Sequence, residues 1–150
     1  MNNPEPATLV LGALGVLIPV VLLGGTSVAA WRRLARTFPD SPVAPERTYR
    51  GISGQIGGTY GAVEGCLRVG LSRGGLRISM WPRFLWPPFT IPWPAITSCE
   101  RARYYFSPAG IRIAIAGWPA PIHLWPRLWR HEKLPDEIQS LWNEHARKAA

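Results

Sequence analysis

The chain divides into stretches with different patterns of hydrophobic and polar positions. Residues 7–30 form one apolar run that contains three hydroxyl-bearing residues and no charge. Beyond about residue 47, apolar residues recur at every second position over short stretches, as in half-buried β-strands. The segment Pro135–Lys148 then changes to helical spacing. The pattern predicts an apolar helix, a strand-rich domain and a terminal helix.

The apolar run is long enough to cross a bilayer. Its 24 positions at ~1.5 Å each give roughly 36 Å of helix, against a hydrocarbon core of ~30 Å. Trp31 follows, where an interfacial aromatic residue is expected, and then come Arg32, Arg33 and Arg36. Because these arginines follow the span, the positive-inside rule places the rest of the chain in the cytoplasm.

A cleaved signal peptide is the alternative interpretation of this run. The end SVAA resembles a small-residue cleavage site, so a secreted or periplasmic domain would begin near Trp31. Against this, residues 1–6 carry no Lys or Arg, and the run exceeds the usual length of about 7–15 residues. We therefore expect a short extracytoplasmic N-terminus (1–6), a transmembrane helix (7–31), a juxtamembrane basic segment and linker (32–46) and a cytoplasmic domain (47–150).

Two hairpins are predicted in the domain. In Cys66–Met80, apolar and polar residues alternate on both sides of a turn at Arg73–Gly75. The second hairpin has its turn at Pro108–Gly110, and Ile111–Ala116 forms its second strand. Thr48–Gly65 contributes two weaker strands that are interrupted by glycines.

The remaining elements complete a plan of about six or seven strands and one helix. Pro121–Trp125 has the pattern of a further strand. Phe89–Ile96 predicts an edge strand, since Pro92 and Pro94 remove N–H donors from the same side of an extended chain. Trp142 is the expected anchor of the terminal amphipathic helix, so the fold class is α+β: a strongly bent antiparallel sheet or partial barrel closed by a C-terminal helix.

Three motifs and the terminal helix carry a resemblance to a known group. They are W-R-x-L-A-x-x-F-P at Trp31–Pro39, GLRIS at Gly75–Ser79 and F-x-I-P-W-x-x-I at Phe89–Ile96. The chain resembles small single-pass bacterial membrane proteins of unknown function, and the resemblance implies a cytoplasmic pleckstrin-homology-like (PH-like) domain and no known activity. Pleckstrin-homology domains of lipid-signalling proteins carry basic residues in the first hairpin loop. The matching loop here, Gly57–Gly61, has none, which argues against phosphoinositide binding in that mode.

Charge points to polyanionic contacts. All 17 Lys and Arg lie at or beyond Arg32 together with eight of the nine acids, so residues 32–150 carry a net charge of about +9. An anionic leaflet or nucleic acid fits such a surface. Interleaved aromatic residues would allow a nucleic-acid-binding β-barrel, but no RNP-like run or helix-turn-helix pattern is present.

Two similar tryptophan-rich segments each follow a predicted strand. Trp81-Pro82-Arg83-Phe84-Leu85-Trp86 is echoed by Trp125-Pro126-Arg127-Leu128-Trp129-Arg130. Rings at headgroup depth beside guanidinium groups on phosphates are typical of interfacial anchors, whereas tryptophans that pack over the sheet end are the alternative. The candidate membrane or partner contacts are Trp31, Arg32, Arg33, Arg36, Trp81, Arg83, Trp86, Trp125, Arg127, Trp129 and Arg130.

Catalytic chemistry is not indicated. His123, His131 and His145 lack metal-ligand spacing to one another, and His123 is expected to face solvent because it alternates with Ile122 and Leu124. We expect no enzyme activity, no cofactor and no metal. The predicted function is binding or scaffolding at the inner leaflet of a bacterial inner membrane, through anionic lipid or an unidentified protein partner.

Overall fold

A computed structural model of the chain describes residues 28–57, 62–104, 107–127 and 131–149. Helix α1 occupies residues 28–37. The elements that follow are β1 (Arg47–Gln55), β2 (Ala62–Ser72), β3 (Gly75–Ser79), β4 (Phe89–Pro92), a 3₁₀ turn (Trp93–Ala95), β5 (Ile96–Tyr104), β6 (Ser107–Ile115), β7 (Ile122–Pro126) and α2 (Leu134–Ala149).

The expected transmembrane helix at 7–31 falls mainly on residues 1–27, which lie outside the described residues, as does the N-terminus at 1–6. None of the helices in the described ranges combines the length and apolar character needed to cross a bilayer.

The seven strands form one antiparallel sheet in the order β4-β3-β2-β1-β7-β6-β5. A flat sheet of this size would hold its two edge strands ~29 Å apart, at ~4.8 Å per strand. Yet β4 ends at Pro92 and β5 begins at Ile96, and four residues span at most about 14 Å. The sheet must therefore curl until its edges approach each other. This confirms the strongly bent antiparallel sheet expected from the sequence.

The concave face of the sheet forms the core, and α2 closes it. Alternate residues of the strands point inward and are fully buried, among them Ile52, Leu67, Val69, Leu76, Ile78, Ile91, Ile111, Ile113 and Leu124. Ile138 of α2 is fully buried against this face. The indole Nε1 of Trp142 donates to the carbonyl oxygen of Ile96 at 2.9 Å, which ties the helix to the start of β5. The terminal helix and its tryptophan anchor are confirmed.

The first predicted hairpin is confirmed and the turn of the second is wrong. Ser72 pairs with Gly75 across a two-residue turn, as the alternation predicts. In the second hairpin Ser107 pairs with Tyr104 and Gly110 pairs with Ala102, so the predicted turn residues belong to β6. Gly110 serves close packing instead, because a Cβ there would lie 2.5 Å from the Tyr104 ring.

The predicted edge strand is shorter than expected. β4 lies at one edge of the sheet, as the prolines indicate, but it ends at Pro92. The 3₁₀ turn then places Pro94 near a helix start, where a missing N–H costs nothing. Trp93 is buried and its Nε1 donates to the carbonyl oxygen of Ser72 at 2.9 Å.

The segment at 32–46, expected to be a juxtamembrane basic segment and linker, packs against the domain. Leu34 of α1 is fully buried in the core. Farther along, Asp40 forms a bidentate ion pair with Arg77 of β3, with N–O distances of 2.7 and 2.6 Å. The backbone N–H of Thr90 donates to the carbonyl oxygen of Phe38 at 3.4 Å, which covers the outer edge of β4. The packed domain therefore begins before residue 47, because these contacts make α1 and its extension part of the core and the sheet edge.

Candidate functional site

The loop between β3 and β4, residues 80–88, exposes most of the large apolar surface in the described part of the chain. Trp81 is 82% exposed, Phe84 is 78% exposed and Leu85 is 37% exposed. The backbone N–H groups of Leu85 and Trp86 both donate to the carbonyl oxygen of Pro82, so the loop is an ordered turn. Exposed rings of this size on an ordered loop make it a candidate contact surface.

Helix α1 holds this loop in place. The indole Nε1 of Trp31 donates to the carbonyl oxygen of Pro87 at 2.8 Å. The Trp31 ring also meets Trp86 and Phe89 edge-to-face, with centroids 5.4 and 5.1 Å apart. Arg32 reaches the carbonyl oxygen of Phe84 at 3.5 Å. The exposed rings are therefore fixed relative to α1, the helix that includes the end of the apolar run.

The same helix contacts two more loops. A Cβ added to Gly57, in the β1–β2 loop, would lie 2.6 Å from the Cβ of Ala30, so α1 rests directly on that backbone. The guanidinium of Arg33 lies 5.3 Å from the ring centroid of Trp118, in the β6–β7 loop. α1 thus packs across three loops of the half-barrel.

These contacts correct the role expected for Trp31. The sequence placed it at the membrane interface, but its side chain is 1% exposed and belongs to the core. Trp86 is half-buried against it. The exposed members of the predicted contact set here are Trp81 and Arg83 in the loop, with Arg32, Arg33 and Arg36 on α1.

The second tryptophan-rich segment is not a structural copy of the first. Trp125 lies within β7, is 7% exposed and stacks on Tyr104 with centroids 5.2 Å apart. It is therefore covered by packing and is not an exposed anchor. Arg127 is exposed, while Trp129 and Arg130 lie outside the described residues.

An open groove of about 490 Å³ runs beside the β3–β4 loop. It is lined by Arg68, Ser79, Met80, Trp81, Pro82, Arg83 and Phe84. Arg68 was missed by the sequence reasoning, although its alternation with buried residues on β2 places it on the outer face. Its nearness to the tryptophan-rich loop follows from the pairing of Arg68 with Ser79 in the β2–β3 hairpin, a register that the predicted hairpin already implies.

His123 corrects another expectation. It lies on the outer face of β7 but is half-buried beneath Tyr104, with ring centroids 4.7 Å apart. Both ring nitrogens are buried, and no residue of the described ranges offers them a hydrogen bond. Burial, with a smaller contribution from the positive charge of Arg112, lowers the pKa of His123. The site therefore favours the neutral form of the ring.

Comparison with solved structures identifies the fold. The N-terminal PH domain of Vps36 aligns with a TM-score of 0.52 at 6% sequence identity, over 67% of this chain and 80% of that one. The fold is PH-like. The C-terminal domain of an unknown protein from Leishmania infantum aligns with a TM-score of 0.49 at 14% identity, over 81% of this chain and 98% of that one. No protein-family model and no curated protein matches the sequence.

The comparison confirms the PH-like domain that the motif resemblance implied. The seven antiparallel strands capped by a C-terminal helix agree with the expected plan of about six or seven strands and one helix. At this identity the likeness establishes the fold alone. The β1–β2 loop at Gly57–Gly61, which lacks basic residues, falls largely on residues 58–61, outside the described residues.

Proposed function

We propose that this protein is a non-enzymatic, single-pass protein of a bacterial inner membrane, with its PH-like domain in the cytoplasm against the inner leaflet. The β3–β4 loop is the face that binds the leaflet. The observation that carries the proposal is the exposure of Trp81 and Phe84 on a loop that α1 fixes in place.

The energetics of the loop favour a membrane surface. Moving an exposed aromatic side chain out of water contributes roughly 1.5–3 kcal/mol when burial is complete. Tryptophan is preferred at headgroup depth, and Arg32 and Arg83 lie beside the exposed rings, with ~1 kcal/mol for each basic residue near an anionic leaflet. The loop therefore combines the apolar and the basic groups that an interface attracts.

The position of α1 supports an anchored domain over a secreted one. Residues 28–30 are the end of the apolar run, and with Trp31 they lie in a helix packed on the domain. Cleavage just before Trp31 would place a new charged N-terminus beside a core side chain and remove the contact between Ala30 and Gly57. Retention of the apolar segment agrees better with these contacts.

The loop contact is tested by the immersion depth of a nitroxide on Phe84→Cys in the full chain reconstituted into bilayers. Flotation with vesicles would not be informative, since the proposed span would float by itself. The matched control is Ser140→Cys, exposed on α2. Both variants carry Cys66→Ser, which removes the other exposed thiol, and Cys99 stays unlabelled because it is buried. We expect the label at position 84 to collide with lipid-soluble oxygen and the label at 140 with a water-soluble relaxer. Equal exposure of both to water refutes the contact.

The placement of the domain is tested by protease protection in spheroplasts. A cytoplasmic domain is protected until the membrane is lysed, whereas digestion from the periplasmic side contradicts the proposed orientation.

A protein partner is the second candidate, since exposed tryptophan flanked by arginine is also typical of interface hot spots. A photo-reactive phenylalanine analogue at Phe84 separates the two in cells. Lipid adducts support the leaflet contact, and a single protein adduct supports a partner-binding scaffold.

A further inference from the structure

Two arginines face each other on the outer surface of the half-barrel. Arg50 of β1 pairs directly with Arg68 of β2. Gly51, at a φ of +74°, is the extra residue of a β-bulge, and this shift lets Ile52 pair with Leu67 in the core. Directly opposed side chains have Cβ atoms roughly 4.5–5.5 Å apart, where like charges are destabilising. The fold therefore places two exposed arginines directly opposite each other, an arrangement that their like charges disfavour.

No acidic group offsets this pair among the residues that the structure describes. Elsewhere on the sheet arginines are neutralised: Arg47 of β1 by Glu137 at 2.9 Å and Arg77 of β3 by Asp40 at 2.6 Å. On its other side Arg68 faces Ser79, a hydroxyl. Two arginines without an acidic partner, beside the hydroxyl of Ser79, are suited to bind an anion from outside the chain.

The groove beside the β3–β4 loop is where such an anion would bind. Arg68 and Ser79 line one part of it, and Arg83 enters from the β3–β4 loop. Guanidinium forks match phosphate oxygens in bidentate geometry. We infer that the groove binds the phosphate of an anionic phospholipid headgroup, held by Arg68 with Arg50 and Arg83. The inference rests on the proposed function, because the groove must lie at the leaflet.

The apolar part of the lining favours a lipid over a free phosphate ion. Met80, Trp81 and Phe84 line the same groove as the arginines. A free ion gains nothing from apolar walls, whereas the glycerol and first acyl carbons of a lipid lose exposure to water against them. The groove therefore offers arginines for the phosphate and apolar side chains for the carbons attached to it.

The experiment uses the full chain in nanodiscs of phosphatidylcholine with or without phosphatidylglycerol, and native mass spectrometry counts the retained lipid. The test variant is Arg50→Gln with Arg68→Gln. The control is Arg103→Gln with Arg147→Gln, which removes the same charge at two exposed positions outside the groove. We expect retention of phosphatidylglycerol by the native chain and the control, and a roughly thirtyfold loss of affinity in the test variant. Equal losses in both variants, or none in either, overturn the inference.

Two further readouts separate this inference from the proposed function. If the label at position 84 is immersed but lipid retention does not depend on Arg50 and Arg68, the leaflet contact stands and the groove inference fails. If the label stays in water while inorganic phosphate protects the micelle-held native chain, but not the test variant, against thermal unfolding, the site takes a free ion and the lipid assignment fails together with the leaflet contact.

Discussion

Replacement of Trp31 by alanine tests whether α1 belongs to the domain. The side chain is 1% exposed, contacts Trp86 and Phe89 edge-to-face and donates a hydrogen bond to Pro87. Truncation of a buried tryptophan costs about 3–5 kcal/mol. A domain of this size has a free energy of unfolding of about 5–15 kcal/mol, so the loss takes a large share of it.

The assay is urea unfolding of the full chain in micelles. The extent of unfolding at each urea concentration is measured by alkylation of Cys99 in a Cys66→Ser background. Cys99 is buried, so it reacts only when the domain opens, and the readout does not depend on tryptophan fluorescence. With a denaturant slope of about 2 kcal/mol per molar, we expect the midpoint to fall by roughly 2 M.

Trp81→Ala is the matched control, since this tryptophan is 82% exposed. We expect its free energy of unfolding to change by no more than about 0.5 kcal/mol. If Trp31→Ala leaves the free energy of unfolding equally unchanged, α1 does not contribute to the packed domain, and the argument from α1 for retention of the apolar segment fails.

Three other predictions follow from single contacts. In the native chain the exposed Cys66 should alkylate readily and Cys99 should not, because burial raises the pKa of the Cys99 thiol to about 12; mass spectrometry before and after denaturation counts the labels. Gly110→Ala should destabilise the domain by about 1–3 kcal/mol, measured as a lower urea midpoint, because its Cβ would lie 2.5 Å from the ring of Tyr104. Because the pKa of His123 is lowered in the folded state, the unfolded chain binds a proton at this histidine at a higher pH than the folded chain does. The free energy of unfolding should therefore fall as pH falls from about 6.5 towards the folded pKa. Urea midpoints of His123→Leu should depend less on pH across that window.

The parts of the fold that sequence reasoning found are those encoded by neighbouring residues. Alternation on both sides of Arg73-Gly74 fixes the first hairpin, because a two-residue turn leaves one register that buries Leu71 and Leu76 together. The terminal helix is equally local, with its apolar spacing and its acidic first turn. The curvature of the sheet follows because only three residues, Trp93–Ala95, join its two edge strands, β4 and β5.

The errors concern residues whose environment comes from distant elements. Trp31 looked like an interfacial residue because its neighbours are apolar and basic, but Trp86 and Phe89, far along the chain, bury it. Trp125 alternates to the outer face of β7, where exposure is the expectation, and Tyr104 of β5 covers it. Repetition of a short motif was misleading for the same reason, since burial depends on the partner strands.

The location of the candidate site depends on which arginines form ion pairs with acids in the folded protein. The acids in the described ranges are largely engaged by cations: Asp40 with Arg77, Glu46 with Arg73, Asp136 with Arg101, Glu137 with Arg47, and Glu144 with Lys148. Composition gives the excess of positive charge but not its location, and the excess remains with arginines such as Arg50 and Arg68 that receive no acid there.

This distribution separates binding from stability in their response to salt. Exposed ion pairs contribute little to folding, so added salt should leave the urea midpoint nearly unchanged. Attraction of the arginine pair to an anionic leaflet is screened over a Debye length of about 10 Å at 0.1 M salt, so lipid retention should fall with ionic strength. A parallel fall in both quantities would mean that the arginines act through the stability of the domain and not through a ligand.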